Sequence, residues 1–444
     1  MRRFLPLTII LVLFLCIGCT IKDNNPLSYQ NDLSNIDNEL ITINDDFKNE
    51  NDNNNDNEIT TWEDKSFETI IRYYLGNFDK NIYFKDLNNI TELEINSNSN
   101  VITNIEECYI TEEYYNKIDP ITSMKDIDNF NNLKKITLNS TKIEAIHIYK
   151  NSSNIEHLRL RFNNITDITN ITAYKNLTFF DISDNYIADL KPLGSLTKLK
   201  ILILDNIGPR ADNIDGCVES NIDIDDIDNL KNLEHLCIWN SNISNVSKLN
   251  NLNNLIHLTL YWCGVNGDEL CFSNCNNLET LVLGIHSMSG EPIILDINKL
   301  DPLINLKSLY LSNVFINKNE SFSRLTNLEE IYFSNVKFEN IEILESLSNL
   351  ESISFNNTNI ESLKYLKNNK NLKSISVTYG NLSDISDLQL FTNIENLILP
   401  DNNITDISVL TQLNKLKKVV LINNPIADTS VIDELKKREG IIVN

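Results

Sequence analysis

From residue 90 onward, apolar positions recur in a fixed frame separated by polar stretches. Leu133, Ile136, Leu138 and Ile143 set the spacing, and Ile155, Leu158, Leu160, Asn163 and Ile165 repeat it. Leu177, Phe180, Ile182, Asn185 and Ile187 follow in the same frame. So, near the end, do Ile394, Leu397, Leu399, Asn402 and Ile404, then Leu416, Val419, Leu421, Asn424 and Ile426. First positions fall at 90, 133, 155, 177, 199, 233, 255, 278, 306, 328, 350, 372, 394 and 416. Most steps are 22; the exceptions of 43, 34, 23 and 28 read as insertions of 21, 12, 1 and 6, which makes fourteen units. The central x-L-x-L-x run alternates faces and predicts a short strand. One unit cannot bury its apolar side alone, so neighbours must stack into a continuous core.

The asparagine at the ninth position is expected to be buried, bonding backbone groups that the turn leaves unpaired. Cys263, Thr358, Gly380, Val314 and Val336 replace it, and those turns should be less uniform. An apolar residue three places before the frame (Leu196, Leu230, Leu252, Leu325, Leu347, Leu413) is expected to fill the far side of the core. Ahead of the repeats, 62–76 reads as an amphipathic helix with Phe67, Ile70, Ile71, Tyr74 and Leu75 on one face and Gly76 at its end. After them, a helix around 430–438 and a last strand at 441–443 would cover the open strand edge.

The frame LxxLxLxxNxI resembles the leucine-rich repeat in its 22-residue bacterial, internalin-like form, over about four-fifths of the chain. The resemblance implies an α/β solenoid, a horseshoe with short parallel strands on its concave face, an N-terminal helical cap and a C-terminal cap. It also implies a binding protein, an adhesin or receptor that takes another protein on the concave face; the alternative is an envelope scaffold or glycan-binding protein. The expected organisation is a signal peptide at 1–18, a tether at 19–60, the N-terminal cap at 61–89, repeats at 90–425 and the C-terminal cap at 426–444.

Arg2 and Arg3 precede an apolar run at 4–17 and then Gly18-Cys19, the form of a secretory signal. The run is short for a permanent span. Its ending, Cys16-Ile17-Gly18-Cys19, resembles a bacterial lipobox with Cys19 as the lipidated residue, departing from the pattern at Cys16, where Leu is usual. This predicts an extracytoplasmic protein, lipid-anchored to a bacterial membrane and exposed at the cell surface, in the outer membrane if the cell has two. Residues 20–60 carry ten acids against two lysines and few apolar side chains, so they read as a solvated, disordered tether. As a flexible coil it would reach roughly 35 Å.

In the repeat frame the third, fifth, seventh and eighth positions should face solvent on the concave side. They supply His157, Arg159, Arg161 and Phe162, then Phe179, Asp181, Ser183 and Asp184. Further along come His235, Cys237, Trp239 and Asn240, then His257, Thr259, Tyr261 and Trp262, with Tyr310, Tyr332 and Tyr379 on later strands. Large amphipathic rings dominate binding hot spots, which makes His157, Arg159, Arg161, Phe162, Phe179, His235, Trp239, His257, Tyr261 and Trp262 the candidate partner-binding patch. The competing reading is lateral stacking that only stabilises the sheet. From 306 onward the same positions are mostly Ser and Asn, a solvated strip.

The formal charge of −24 repels phosphate backbones and excludes nucleic acid as the main partner. Asparagine is abundant, 72 residues against 5 alanines. The insertions near 96–124 (Tyr109, Tyr114, Tyr115) and 208–222 are candidate contact loops. Asp212-Asn213-Ile214-Asp215-Gly216 is similar to a calcium loop but fails an alignment on Gly216, because Ala211 and Ile222 take ligand positions, which leaves only loose calcium binding by Asp215, Asp223, Asp225 and Asp226 as an alternative. His235, His257 and Cys237 lack a fourth zinc ligand. Cys263 and Cys275 read as buried thiols, and the six cysteines after Cys19 include no CxxC pair. No nucleophile motif, metal motif or nucleotide-binding turn appears, and no cofactor or metal is expected.

Overall fold

The computed structural model describes residues 57–96, 100–103, 107–109, 118–208, 222–265, 267–285, 293–317, 321–438 and 440–443. The segment with Cys19, nearly all of the tether, and Tyr114, Tyr115, Asp212 and Asp215 of the insertions lie outside them.

Each repeat contributes one short strand to a single sheet. In chain order these are β1 (Glu92–Asn96), β2 (Lys135–Asn139), β3 (His157–Arg159), β4 (Phe179–Asp181), β5 (Ile201–Ile203), β6 (His235–Trp239) and β7 (His257–Cys263). They continue as β8 (Thr280–Ile285), β9 (Ser308–Ser312), β10 (Glu330–Ser334), β11 (Ser352–Asn356), β12 (Ser374–Thr378), β13 (Asn396–Ile398) and β14 (Lys418–Val420). Every neighbouring pair is parallel and in register with the sequence frame, as in Leu236 opposite Leu258 and Leu309 opposite Ile331. The long steps are absorbed without loss of register, since Leu93 pairs with Ile136 and Leu202 with Leu236. The first insertion adds Asn100–Thr103 and Glu107–Tyr109 as antiparallel strands beyond β1.

The one-residue step is resolved in an unexpected way. Tyr261 pairs with Gly284, but the next rung joins Cys263 to Ile285, so Trp262 bulges out of β7 without a counterpart on β8. Ile285 therefore takes the buried turn place that Cys263 holds one repeat earlier, and that unit has no eighth residue.

Short 3-10 turns such as Lys191–Ser195, Asp225–Asn229 and Ser408–Gln412 run along the opposite side. They deliver Leu193, Ile227 and Leu410 to the core, together with the expected Leu196, Leu230, Leu252, Leu325, Leu347 and Leu413, all buried. The turn asparagines do what the pattern required. Asn185 is 3% exposed; its amide donates to Leu160 O at 2.8 Å and Ile182 O at 3.0 Å, and its oxygen accepts from Ile165 N at 3.0 Å. Asn163, Asn402 and Asn424 repeat this arrangement. At the substituted turns Thr358 keeps part of it and Cys263 donates to Ile238 O, while Val336 offers no polar atom.

Helix α1 (Lys65–Tyr74) buries Phe67, Ile70, Ile71 and Tyr74, with Asp64 as its N-cap accepting from Ser66 N and Phe67 N. Asp64 also accepts from Thr122 N at 2.8 Å, and Asp126 accepts from Glu63 N and Asp64 N, which ties the helix to the first repeats. At the far end, α2 (Ser430–Lys436) places Leu435 in the core, and β15 (Ile442–Val443) pairs with β14 and covers its edge.

Candidate binding face

Parallel register turns each frame position into a lane of side chains ~4.8 Å apart. The third-position lane runs Lys135, His157, Phe179, Ile201, His235, His257. At that spacing flat rings stack. His157 lies on Phe179 with centroids 4.0 Å apart and planes 7° apart, and His235 lies on His257 at 4.5 Å and 16°. Ion pairs add to this, Arg159 to Asp181 along the fifth lane at 3.2 Å and Arg161 of the seventh to Asp184 of the eighth at 2.8 Å.

This closes part of the face that the frame assigned to solvent. His157, Arg159, Phe179 and Tyr310 are buried, as are Asp181 and Ser183, while Arg161, Phe162, His235, Trp239, His257 and Tyr261 are half-buried and Trp262 is exposed. Strand alternation specifies the face on which a side chain leaves the sheet. How much of it neighbours then cover depends on their bulk, and here Arg, His and Phe fill the lanes. Burial holds the His157 imidazole well below its usual pKa, with the Lys135 and Arg159 charges acting the same way. Both its ring nitrogens lack a hydrogen-bond partner among the described residues. Burial, then the neighbouring His235, pushes His257 down to about 4, so the pair is neutral at ordinary pH.

Beside this closed section lies a run of rings. Trp239 contacts Tyr261 at 6.3 Å, Tyr261 meets Tyr310 edge-on at 5.7 Å, and Tyr310 stacks on Tyr332 at 4.6 Å and 7°. Tyr261 and Tyr310 belong to strands that are not adjacent. They touch because β8 between them carries Gly284, whose missing side chain leaves room for the Tyr261 ring. Four rings thus span β6 to β10, roughly 20 Å at the usual strand spacing. Trp262 stands at their margin. The sequence frame identified Trp239, Tyr261 and Trp262; joining them to Tyr310 and Tyr332 required the geometry of Gly284.

Among the described residues the backbone at the eighth position is left-handed in twelve repeats, from Ser140 (φ 55) to Asn423 (φ 59). Asn and Asp adopt this conformation readily, bulky residues do not. Nine of the twelve are Ser, Asn or Asp, and the others are Phe162, Trp262 and Tyr379. The amides chain from repeat to repeat, Asn206 to Asp184 at 2.9 Å and Asn240 to Asn206 at 3.0 Å. Trp262 interrupts that chain.

Asp205 is buried between these lanes, 7% exposed, and accepts a bond from the Cys237 thiol at 3.2 Å. Burial raises its pKa to about 7 against the opposing effect of that bond. Burial and the same carboxyl drive Cys237 well above the usual thiol range. Cys263 and Cys275 are buried free thiols raised to about 12 and about 11 by burial. Among the described residues no group of three His, Cys, Asp or Glu is placed to hold a metal, and no helix is long and apolar enough to cross a membrane.

No protein-family model matches the chain, and no curated protein matches it. Solved structures do. An internalin from Listeria monocytogenes superposes with TM-score 0.60 at 22% identity, covering 86% of this chain and 94% of its own. The plant peptide hormone receptor RGFR1 in complex with RGF2 gives 0.50 at 18%, over 68% of this chain and 50% of the receptor chain. A leucine-rich-repeat protein from Leptospira interrogans gives 0.47 at 18%, over 73% and 92%. The fold is a leucine-rich-repeat solenoid of the internalin-like kind.

Proposed function

We propose that this chain is a lipid-anchored, extracytoplasmic protein that binds another protein on the sheet face of its repeats, as an adhesin or receptor at a bacterial surface. The observation that carries the reading is the run Trp239–Tyr261–Tyr310–Tyr332, in which the buried Tyr310 backs the half-buried Trp239, Tyr261 and Tyr332, with the exposed Trp262 beside them. The hydrophobic core has its own leucines and isoleucines and does not need these rings. Rigid amphipathic rings at the centre of a polar face are what protein interfaces use as anchors. A plant receptor of this fold was solved in complex with RGF2, which supports a peptide or protein partner here. The anchor rests on Arg2, Arg3, the apolar run and Cys19, and the two or three acyl chains of a lipidated cysteine would hold stably where one would not.

The test is capture by crosslinking on intact cells that carry the full-length protein, with a Trp239→Ala/Tyr261→Ala/Trp262→Ala variant beside it. A partner crosslinked to wild type and lost with the folded variant is the expected result. Equal capture by both rejects the ring run as the site. External protease should remove the repeats from intact cells; protection until the wall or outer membrane is opened would favour an envelope scaffold or glycan-binding role instead. Replacing Cys19 with Ala should abolish fatty-acid labelling and release the protein.

A further inference from the structure

We propose a second binding site, separate from the sheet face: a groove along the rim of the late repeats that takes a neutral oligosaccharide. The groove, about 840 Å³, runs beside the turns that follow β10, β11 and β12. Tyr379 is its outstanding member. The residue is half exposed and left-handed (φ 53) at the position where the three preceding repeats carry Asn313, Asn335 and Asn357. Those three chain their amides, Asn335 to Asn313 at 2.6 Å and Asn357 to Asn335 at 3.5 Å, and the chain stops at the Tyr379 ring. Local backbone preference favours a fourth Asn there, so the ring is not explained by the turn it sits in.

A second amide pair runs parallel to the first. Asn381 donates to Asn359 Oδ1 at 2.7 Å, while the Asn359 amide nitrogen and Asn357 Oδ1 have no hydrogen-bond partner among the described residues. Exposed donors and acceptors therefore line the same groove as the Tyr379 ring. The groove also holds Phe315, Phe338 and Tyr365; Lys364 covers Tyr365 at 4.8 Å and Phe338 packs edge-on against Phe333 at 5.1 Å, while Tyr379 is half exposed and open to stacking. The charges that line the groove cancel, Lys337 and Lys364 against Glu339 and Glu361.

A pyranose ring matches these features one by one. Its C–H face is attracted to the negative face of an aromatic ring. Its hydroxyls both donate and accept, as an amide does. A few placed polar groups around an apolar platform make a specific site. The balanced lining selects against sulfated or phosphorylated sugars, which the net charge of −24 would also repel.

The decisive experiment titrates the full-length purified protein with cellotetraose, chitotetraose, maltotetraose and a sulfated heparin tetrasaccharide, by calorimetry and saturation-transfer NMR. The comparison variant is Tyr379→Asn, which the left-handed backbone accepts and the amide chain can extend into. At least one neutral tetrasaccharide should bind, and Tyr379→Asn should weaken it about tenfold or more while the melting temperature stays within a few degrees. Absence of binding by all three neutral sugars up to about 5 mM overturns the proposal. So does binding of the sulfated sugar alone, or wild-type affinity in Tyr379→Asn. None of these outcomes bears on the sheet-face site, whose rings lie elsewhere.

Discussion

The ring of Tyr261 lies across the backbone of Gly284, so close that a Cβ at position 284 would stand 2.1 Å from its Cδ2. That approach carries Tyr261 past β8 to meet Tyr310, 5.7 Å away. Gly284→Ala should expel the ring, break the run of aromatics and cost about 1–3 kcal/mol through overpacking. Chemical denaturation and tryptophan emission of Trp239 would read it; an unchanged midpoint and spectrum would show that the ring is not held there.

The left-handed eighth position separates backbone conformation from side-chain contact. Asn357 is exposed and left-handed (φ 46), with its amide on Asn335. Asn357→Val should destabilise by about 1–3 kcal/mol, because a β-branched residue resists this conformation. Asn357→Gly should cost much less, since glycine accepts positive φ freely. Equal losses in the two variants would assign the effect to the lost amide contact and refute the backbone explanation.

The turn asparagine is expected to matter more than any exposed pair. Asn185→Ala would leave Ile165 N, Leu160 O and Ile182 O without their side-chain partner. With about 1–3 kcal/mol for each buried group left unsatisfied, the total should reach at least about 3 kcal/mol. Faster amide exchange at Ile165 is the local readout. A loss within about 0.5 kcal/mol, the range of a surface substitution, would contradict it.

Stability should depend on pH through two desolvated groups of opposite sign, the buried Asp205 and the half-buried His257. Asp205 titrates near 7 when folded, above the ordinary carboxyl value of 3.8. Its contribution is complete below about 4 and declines as pH rises through 7. Asp205→Asn should therefore gain stability relative to wild type as pH rises from 4 to 7.5, while keeping an acceptor for the Cys237 thiol. His257 behaves inversely: held at about 4 against an ordinary 6.5, it stabilises above 6.5 and loses that contribution as pH falls toward 4. His257→Gln should lose less stability on acidification than wild type. Denaturation midpoints across this range decide both, and parallel curves for variant and wild type would reject the assigned group.

The period of the apolar frame determined the stacking of units, the identity of the core residues and the buried turn asparagines, because these depend on contacts that recur in every repeat. Ile155, Leu158, Leu160 and Asn163 have the same surroundings as Leu177, Phe180, Ile182 and Asn185, so one unit explains the next. The candidate site was legible only in part. Trp239, Tyr261 and Trp262 could be placed on one face by counting, but burial of His157, Arg159 and Phe179 could not, since it depends on what fills the adjoining lane. Tyr379 counts to the same face as Tyr310 and Tyr332, yet its left-handed backbone gives it to the rim groove; its one sequence signal is a ring in a column of Asn. Tertiary structure decided the contacts that are unique to one place: Tyr261 reaching over Gly284, Asp205 meeting the Cys237 thiol across an irregular step, and Trp262 bulging where the next repeat lacks a residue. The physical reason is that periodicity specifies direction, whereas room and neighbours are set by side-chain volumes on strands that the chain joins through insertions of unequal length.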